Sequence, residues 1–414
     1  MALKDRQSRT IVLALSEKEY PSFIEDNRKA HEIISHFITE HPELFPPEIL
    51  SEGYKLNGYT RISRKLGIRM RRIETAGVTY RIRPSFVMPY MRAKTNEVKN
   101  PLFLLRFGVP FWALALVFGR NPMFWYRAFI SLGSSSIVGT TVHRADNMPK
   151  DLLADEFHTR IKGKKAYIAT TVANGCFLGA EACENADEAS LKKAYSVFKK
   201  EALSLNPDYH PETVNTDGWW ATQNAWKSLF RRIFIIECFL HAFLKIRDRA
   251  TKKLRSVFEQ AADKVWDIYR SESKQQMGQR IRRLGEWTKK IVPECPMKEN
   301  ILKLCQKRKR WLAHFDFPDA YHTSNQLDRV MRIMERHTIN SQMFHATLES
   351  TSKNFRALAL LCNFSPSCPA VTDKYPELIS PAARLNGFVY NQDWLQNMLT
   401  ASSLKGFKQL RNPL

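Results

Sequence analysis

The sequence predicts an α/β fold, and three observations lead there. Three consecutive strand-like runs begin near Leu152, a helical stretch and a short buried strand ending before Asp217 follow them, and residues 243–318 are charged and helix-rich with little β character. The order through residues 149–242 reads β-β-β-α-β-α, which suits a sheet with helices packed on its faces.

Composition bounds the rest. A chain of 414 residues with 44% hydrophobic content is long enough for two or three compact units with real cores. Its 64 Lys and Arg outnumber 41 Asp and Glu, and the formal charge of +23 points to a polyanionic partner, with nucleic acid foremost. No apolar run approaches the roughly 20 residues needed to span a bilayer. The longest, Phe111–Phe118, is broken by Gly119-Arg120-Asn121-Pro122, so no membrane role is expected. The opening residues Met1-Ala2-Leu3-Lys4-Asp5-Arg6 lack the apolar core of a secretory signal, and seven scattered Cys form no disulfide framework. These features predict a cytoplasmic protein with reduced thiols, associated with the nucleoid if the cell is prokaryotic.

Taken in order, residues 1–100 form a helical and β-rich basic region. Ile24, Ala30, Ile33, Ile34, Phe37 and Ile38 recur at near-helical spacing over 18–39 and stop at Pro42, Pro46 and Pro47. Residues 54–80 read as short strands turned at Gly53, Gly58, Gly67 and Gly77, dense in Arg61, Arg64, Lys65, Arg69, Arg71 and Arg72. Residues 101–148 read as helix, turn, helix. There Ser134, Ser135 and Ser136 are placed to cap a second helix whose N-terminus would meet a phosphate or a base edge; a small helical core is the plainer alternative.

Residues 149–242 hold the β-rich run, with turns at Lys162-Gly163-Lys164-Lys165 and Gly175, a helix over 189–203, a strand over 212–216 that delivers Asp217, and a helix over 222–230. An all-helical insertion over 243–318 follows. Helix returns at 325–335 within residues 319–364, and the tail 365–414, rich in Pro, Ser and Asn, is expected to wrap the surface.

Phosphodiester chemistry with two metal ions needs carboxylates converging from separate elements, each ion held by hard oxygen ligands with positions left open for the scissile phosphate. Asp155 lies inside an apolar strand, where a carboxylate is costly unless a cation or hydrogen bonds satisfy it. Asp217 sits where a strand ends before Gly218, a rim position typical of sites in α/β sheets.

The run Thr216-Asp217-Gly218, then Ala225-Trp226, Phe230, Cys238 and His241, followed far downstream by Thr323-Ser324-Asn325 and Asp328, resembles the Mutator-superfamily transposases of bacterial insertion sequences. The resemblance covers residues 152–361 and is most specific over 216–241. It implies a ribonuclease-H-like catalytic core, a mixed five-stranded sheet with flanking helices, interrupted by the helical insertion. It also implies a triad of metal-binding acids, here Asp155, Asp217 and Asp328, holding two Mg²⁺ ions for which Mn²⁺ substitutes. The third acid of most members is glutamate; Asp328 is one methylene shorter, and Glu335, two turns along the same helix, is its alternative.

Cys238 and His241 are two residues apart, as in zinc sites, but no second pair of matching spacing accompanies them, Cys295 and Cys305 being candidates only by default. The resemblance instead suggests a structural or DNA-adjacent role for both, with His241 near the scissile phosphate; a satisfied core cysteine and histidine is the alternative. His158 and Glu156 point to the opposite strand face from Asp155. Should Asp155 face solvent, Glu156 would take the first-acid role, so the register of this strand is decisive.

The basic residues cluster at Arg61 to Arg72, Lys162 to Lys165, Arg231 and Arg232 with Lys245, Arg247, Arg249, Lys252 and Lys253, then Arg280 to Lys290 and Lys307 to Arg310. They are candidates for phosphate contacts that position DNA without reading it. Trp219, Trp220, Trp287 and Trp311 are candidates for stacking on unpaired bases, although tryptophans are more often core. The expected activity is metal-dependent cleavage at transposon ends and transfer of the freed 3′-hydroxyl into target DNA, by a homodimer or larger assembly that synapses two ends. An inactive DNA-binding derivative and a ribonuclease-H-like nuclease without strand transfer are the alternatives.

Overall fold

The computed structural model describes residues 9–341, 344 and 346–407. The opening residues Met1 to Arg6, read above for a leader, lie outside them, as do 408–414 of the tail.

Two mixed sheets organise an α/β chain. The first has the order β1-β4-β3-β2, formed by β1 (Thr10–Leu13), β2 (Lys55–Tyr59), β3 (Arg71–Thr75) and β4 (Val78–Pro84). β4 pairs parallel with β1 and antiparallel with β3, which pairs antiparallel with β2. Gly77 turns β3 into β4 at φ +69°, where a side chain would be strained, but Gly58 lies within β2, where the register with β3 shifts between Leu56 and Tyr59. The helix expected over 18–39 is two helices, Tyr20–Glu25 and Asn27–Glu40, because extended Asp26 ends one and caps the next through the backbone N–H groups of Arg28 and Lys29.

The second sheet has the order β7-β6-β5-β8-β9: β5 (Asp151–Ile161), β6 (Lys164–Ala173), β7 (Cys176–Cys183), β8 (Thr213–Thr216) and β9 (Phe234–Glu237). β8 runs parallel to both β5 and β9, whereas β6 and β7 are antiparallel. The helices Glu188–Leu205 and Trp220–Leu229 fall between strands as expected, followed after β9 by helices Phe239–Arg247, Arg255–Tyr269, Lys274–Ile291, Pro296–Gln306 and Arg308–Leu312. No helix among the described residues is long and apolar enough to cross a membrane.

The chain divides into two compact units. The larger comprises 1–149, 156–209 and 329–414; the smaller comprises 150–155 and 210–328. The smaller has its own helical core, in which Phe239, Val265, Ile281, Leu284, Ile301 and Trp311 are buried together. In the larger unit helix Leu348–Phe364 is buried along most of its length, and Gly133 meets it so closely that an added Cβ would stand 1.9 Å from the carbonyl of Lys353.

Two expectations are corrected here. The tail does not simply wrap the surface: Leu395, Met398, Leu399 and Ala401 of helix Trp394–Ala401 are buried, their spacing forming an apolar face that the Pro, Ser and Asn content around it obscured. The supposed second helix of a helix-turn-helix is only Ile137–Thr141, and all five residues are buried.

Candidate active site

The site is assembled by strand register. β5 and β8 pair at Asp151–Thr213, Leu152–Val214 and Leu153–Asn215. Asp155 lies in β5 two residues past the last pair, and Asp217 two residues past the same pair in the turn that follows the end of β8 at Thr216, so both acids come just beyond the paired stretch of neighbouring strands. Both are half-buried, as is Asp328 in the first turn of helix Asn325–Asn340, and all three acids belong to the smaller unit. The neighbouring Glu156 takes the opposite role: only 5% exposed, it accepts a 2.7 Å hydrogen bond from Tyr195 in the larger unit. His158 is exposed.

Asp217 is held by its own turn. Its Oδ1 accepts a hydrogen bond from the backbone N–H of Trp219 at 2.8 Å, and Gly218 between them adopts φ +92°, a conformation that side-chain-bearing residues avoid. Beneath, Asn215 donates through Nδ2 to the carbonyl of Tyr321 at 2.6 Å, tying β8 to the segment that leads to Asp328. A second tie is the backbone N–H of Phe239, which donates to the carbonyl of His322 at 3.2 Å.

Cys238 and His241 stand at the centre of this arrangement. Cys238 is the N-cap of helix Phe239–Arg247 and His241 lies in its first turn. The Cys238 thiol donates to Ser324 Oγ at 3.4 Å, and Ser324 Oγ in turn donates to Asp328 Oδ2 at 3.4 Å. Burial opposes ionisation of Cys238, but hydrogen bonding with His241 and Ser324 outweighs it and brings the thiol below its ordinary pKa. His241 is raised to about 8 by hydrogen bonding with Cys238, against the effect of burial, with further electrostatic contributions from Cys238, Asp155 and Asp217. With a pKa near 8 the imidazole is mostly protonated at neutral pH.

Glu335, the alternative third acid, is elsewhere. It lines a cavity of about 400 Å³ in the larger unit with His158, Arg160 and Tyr167. Among the described residues no group of three or more His, Cys, Asp or Glu side chains is arranged to hold a metal ion.

The remaining candidates separate by burial. Arg231, Arg232, Lys245 and Arg249 are exposed in the smaller unit, and Trp219 and Trp220 are 38% and 67% exposed beside Asp217. Trp311 is fully buried and Trp287 packs against the same helical core. In the larger unit Arg61 and Arg64 are exposed, while Arg69 and Arg72 are half-buried and Arg69 stacks 4.2 Å from the centre of the Tyr59 ring. Arg71 leaves the DNA-contact set. It is 1% exposed and donates to the carbonyls of Phe23 and Ile24 and to Asn27 Oδ1, clamping the junction of the two helices to β3. Ser136 leaves it too: 1% exposed, it caps Gly139 N–H and donates to Glu201 Oε2 at 2.9 Å. Ser135 is 9% exposed, and its carbonyl accepts from Arg356 at 2.9 Å.

One acid was overlooked. Glu237 ends β9 as Asp217 follows β8, is 5% exposed, and forms ion pairs with Lys307, at 2.6 Å, and Arg310. Its carboxylate lies against Gly218, 3.7 Å from where a Cβ would stand. The signal was present in Phe234-Ile235-Ile236-Glu237, an acid closing an apolar strand. Comparison with known proteins gives no match to a family and none among curated proteins.

Proposed function

We propose that the chain is a DNA transposase of the DDE/D type, which cleaves DNA at the ends of a mobile element and joins the freed 3′-hydroxyl to target DNA. The observation that supports this most is the placement of Asp155 and Asp217 just past the paired stretch of β5 and β8, with the Cys238–Ser324–Asp328 relay reaching the third acid. The donor set suits Mg²⁺ or Mn²⁺: three carboxylates, all hard oxygen donors, supplied by a strand, a strand-end turn and a helix. Bound by Asp155, Asp217 and Asp328, two such ions would neutralise phosphate charge and activate the attacking hydroxyl.

The chain's own groups orient and charge the site. The Trp219 N–H fixes the Asp217 carboxylate, and Ser324 orients Asp328. Protonated His241 offers a positive charge to a phosphate approaching the two strand acids. Arg231, Arg232, Lys245 and Arg249 are available for backbone phosphates, and the exposed Trp219 and Trp220 for a base that leaves the stack. The proposed ribonuclease-H-like core then comprises β5 to β9 with their helices, the helices over 243–318 form its insertion, and synapsis of two DNA ends calls for a homodimer or larger assembly in the cytoplasm.

Asp217→Asn tests the proposal. Mg²⁺-dependent cleavage of a duplex ending in the element's terminal repeat should fall by about 10²–10³-fold or more, with DNA binding retained and cleavage by the parent protein abolished by chelator. Undiminished cleavage by the variant would sink the assignment. Cleavage by the parent without any joined product would favour a plain nuclease, and DNA binding without metal-dependent cleavage an inactive derivative.

A further inference from the structure

The larger unit contains a second polar site, independent of the carboxylates and of the transposase reading. It is a cavity of about 420 Å³, within the roughly 300–1,000 Å³ of small-ligand sites. Its cationic wall is built by strand parity: Arg81 and Arg83 are two apart on β4, opposite Thr10 and Val12 of β1, and so project to one side. Lys405 and four serines, Ser131, Ser134, Ser135 and Ser402, add polar groups to the lining, and none of the described residues lining the cavity is acidic.

Arg83 is the decisive residue. It is 6% exposed, its Nε has no hydrogen-bond partner, and no described carboxylate pairs with it. Burial, and secondarily the adjacent Arg81, lower its pKa to about 10, so it is still a cation at neutral pH. Arg81 donates to Thr10 Oγ1 at 3.4 Å, beside it on the same wall. A buried guanidinium without a counter-charge is costly, and structures retain such groups where a ligand supplies the missing charge. Backbone strain also gathers here: Tyr90 and Lys405, both lining the cavity, adopt φ of +62° and +63°, and left-handed non-glycine residues cluster at ligand clamps.

We propose that this cavity binds a phosphomonoester, with Arg83 and Arg81 presenting guanidinium forks to its oxygens, Lys405 adding charge and the Ser135 hydroxyl a further hydrogen bond. Arg83, buried with no described carboxylate on it, calls for an anion, and a lining that also carries Arg81 and Lys405 and no acid suits a group bearing about −1.5 to −2 charge; guanidinium forks fit phosphate oxygens in pairs. The same chemistry arises in a free mononucleotide and at a 5′-phosphorylated DNA end.

The test uses the full chain and Arg83→Met, which keeps the apolar stem and removes the charge. Thermal shift and calorimetric titration with inorganic phosphate and with adenosine 5′-monophosphate should give a saturable rise in Tm and a measurable Kd, neither produced by sodium chloride at equal ionic strength. In Arg83→Met the Kd should weaken by about tenfold or more, while Tm without ligand stays level or rises because an unpaired buried charge is gone. Arg81→Gln, a milder change at a half-buried position, should weaken binding in the same direction and decides the matter if Arg83→Met fails to fold. No saturable response to either probe, or unchanged affinity in both variants, overturns the proposal. Comparing 5′-phosphorylated with 5′-hydroxyl DNA dodecamers identifies the source: an Arg83-dependent preference for the phosphorylated strand assigns a DNA end, and tighter binding of the mononucleotide assigns a free nucleotide.

Discussion

Glu201 in the larger unit and Asp217 in the smaller are both acids removed in part from water, and their surroundings treat them in opposite ways. Glu201 is 5% exposed and fully engaged: Ser136 Oγ and Val138 N–H donate to one oxygen at 2.9 and 3.1 Å, and Arg356 pairs with the other while reaching Glu181 at 3.6 Å. Asp217 is half-buried in the turn after β8, just past the stretch paired with the strand of a second acid, and its described hydrogen bond comes from one backbone N–H. A cluster whose charges balance internally holds a fold together, and one that gathers like charges at a rim is arranged for something that arrives from outside.

Breaking the first cluster should give the largest effect. Arg356→Met strands Glu181 and Glu201 in the interior, and Glu181 is already pushed toward its neutral form by burial; a loss of about 3–5 kcal/mol is expected, measured by urea unfolding. A loss below about 1 kcal/mol would remove the distinction between the two regions.

The second cluster should respond the other way. Asp328→Asn is expected to reduce metal-dependent cleavage by about 10²-fold or more and to change unfolding free energy by no more than about 1 kcal/mol, since the one described side-chain hydrogen bond to its carboxylate, from Ser324, is long. Glu335→Gln, the control, should leave cleavage intact because Glu335 lines a different cavity. A reversal of the two cleavage results would move the third acid to Glu335.

A smaller effect separates two histidines of the same unit. His241 gains a proton readily, whereas His314, buried and stacked on His322 with ring centres 4.3 Å apart, is held down to about 3 by burial and by that neighbour. Because the folded pKa of His314 lies below its unfolded value near 6.5, the unfolded chain takes up a proton that the fold refuses. This group therefore costs stability as pH falls below about 6.5, by up to about 1.4 kcal/mol per pH unit, and has no effect above it. Unfolding at pH 7.0 and 5.5 should show this loss in the parent and a shallower one in His314→Gln; equal slopes would refute it.

What the sequence disclosed follows the range of the forces involved. β5 to β8 were legible because alternation and turn residues are local: Gly163 and Gly175 mark the turns on either side of β6, and Asp217 is flagged by the strand it follows. β1 escaped notice because Thr10–Leu13 is only four residues long and finds its parallel partner some 70 residues away. Ser136 and Arg71 were misjudged for the same reason, since their charge partners and carbonyl acceptors come from distant segments. Within the site, the two strand acids could be inferred from pattern, but the Ser324 relay spans 86 residues to Cys238 and is visible only in three dimensions.

The spread of the acids along the chain also has a consequence during synthesis. Asp328 lies 173 positions after Asp155, an interval of about 10–35 s at ordinary rates of elongation. Over that time the nascent polypeptide comes to carry the first two acids but lacks Asp328. Premature termination before residue 328 would therefore leave a fragment without the third carboxylate of the proposed site.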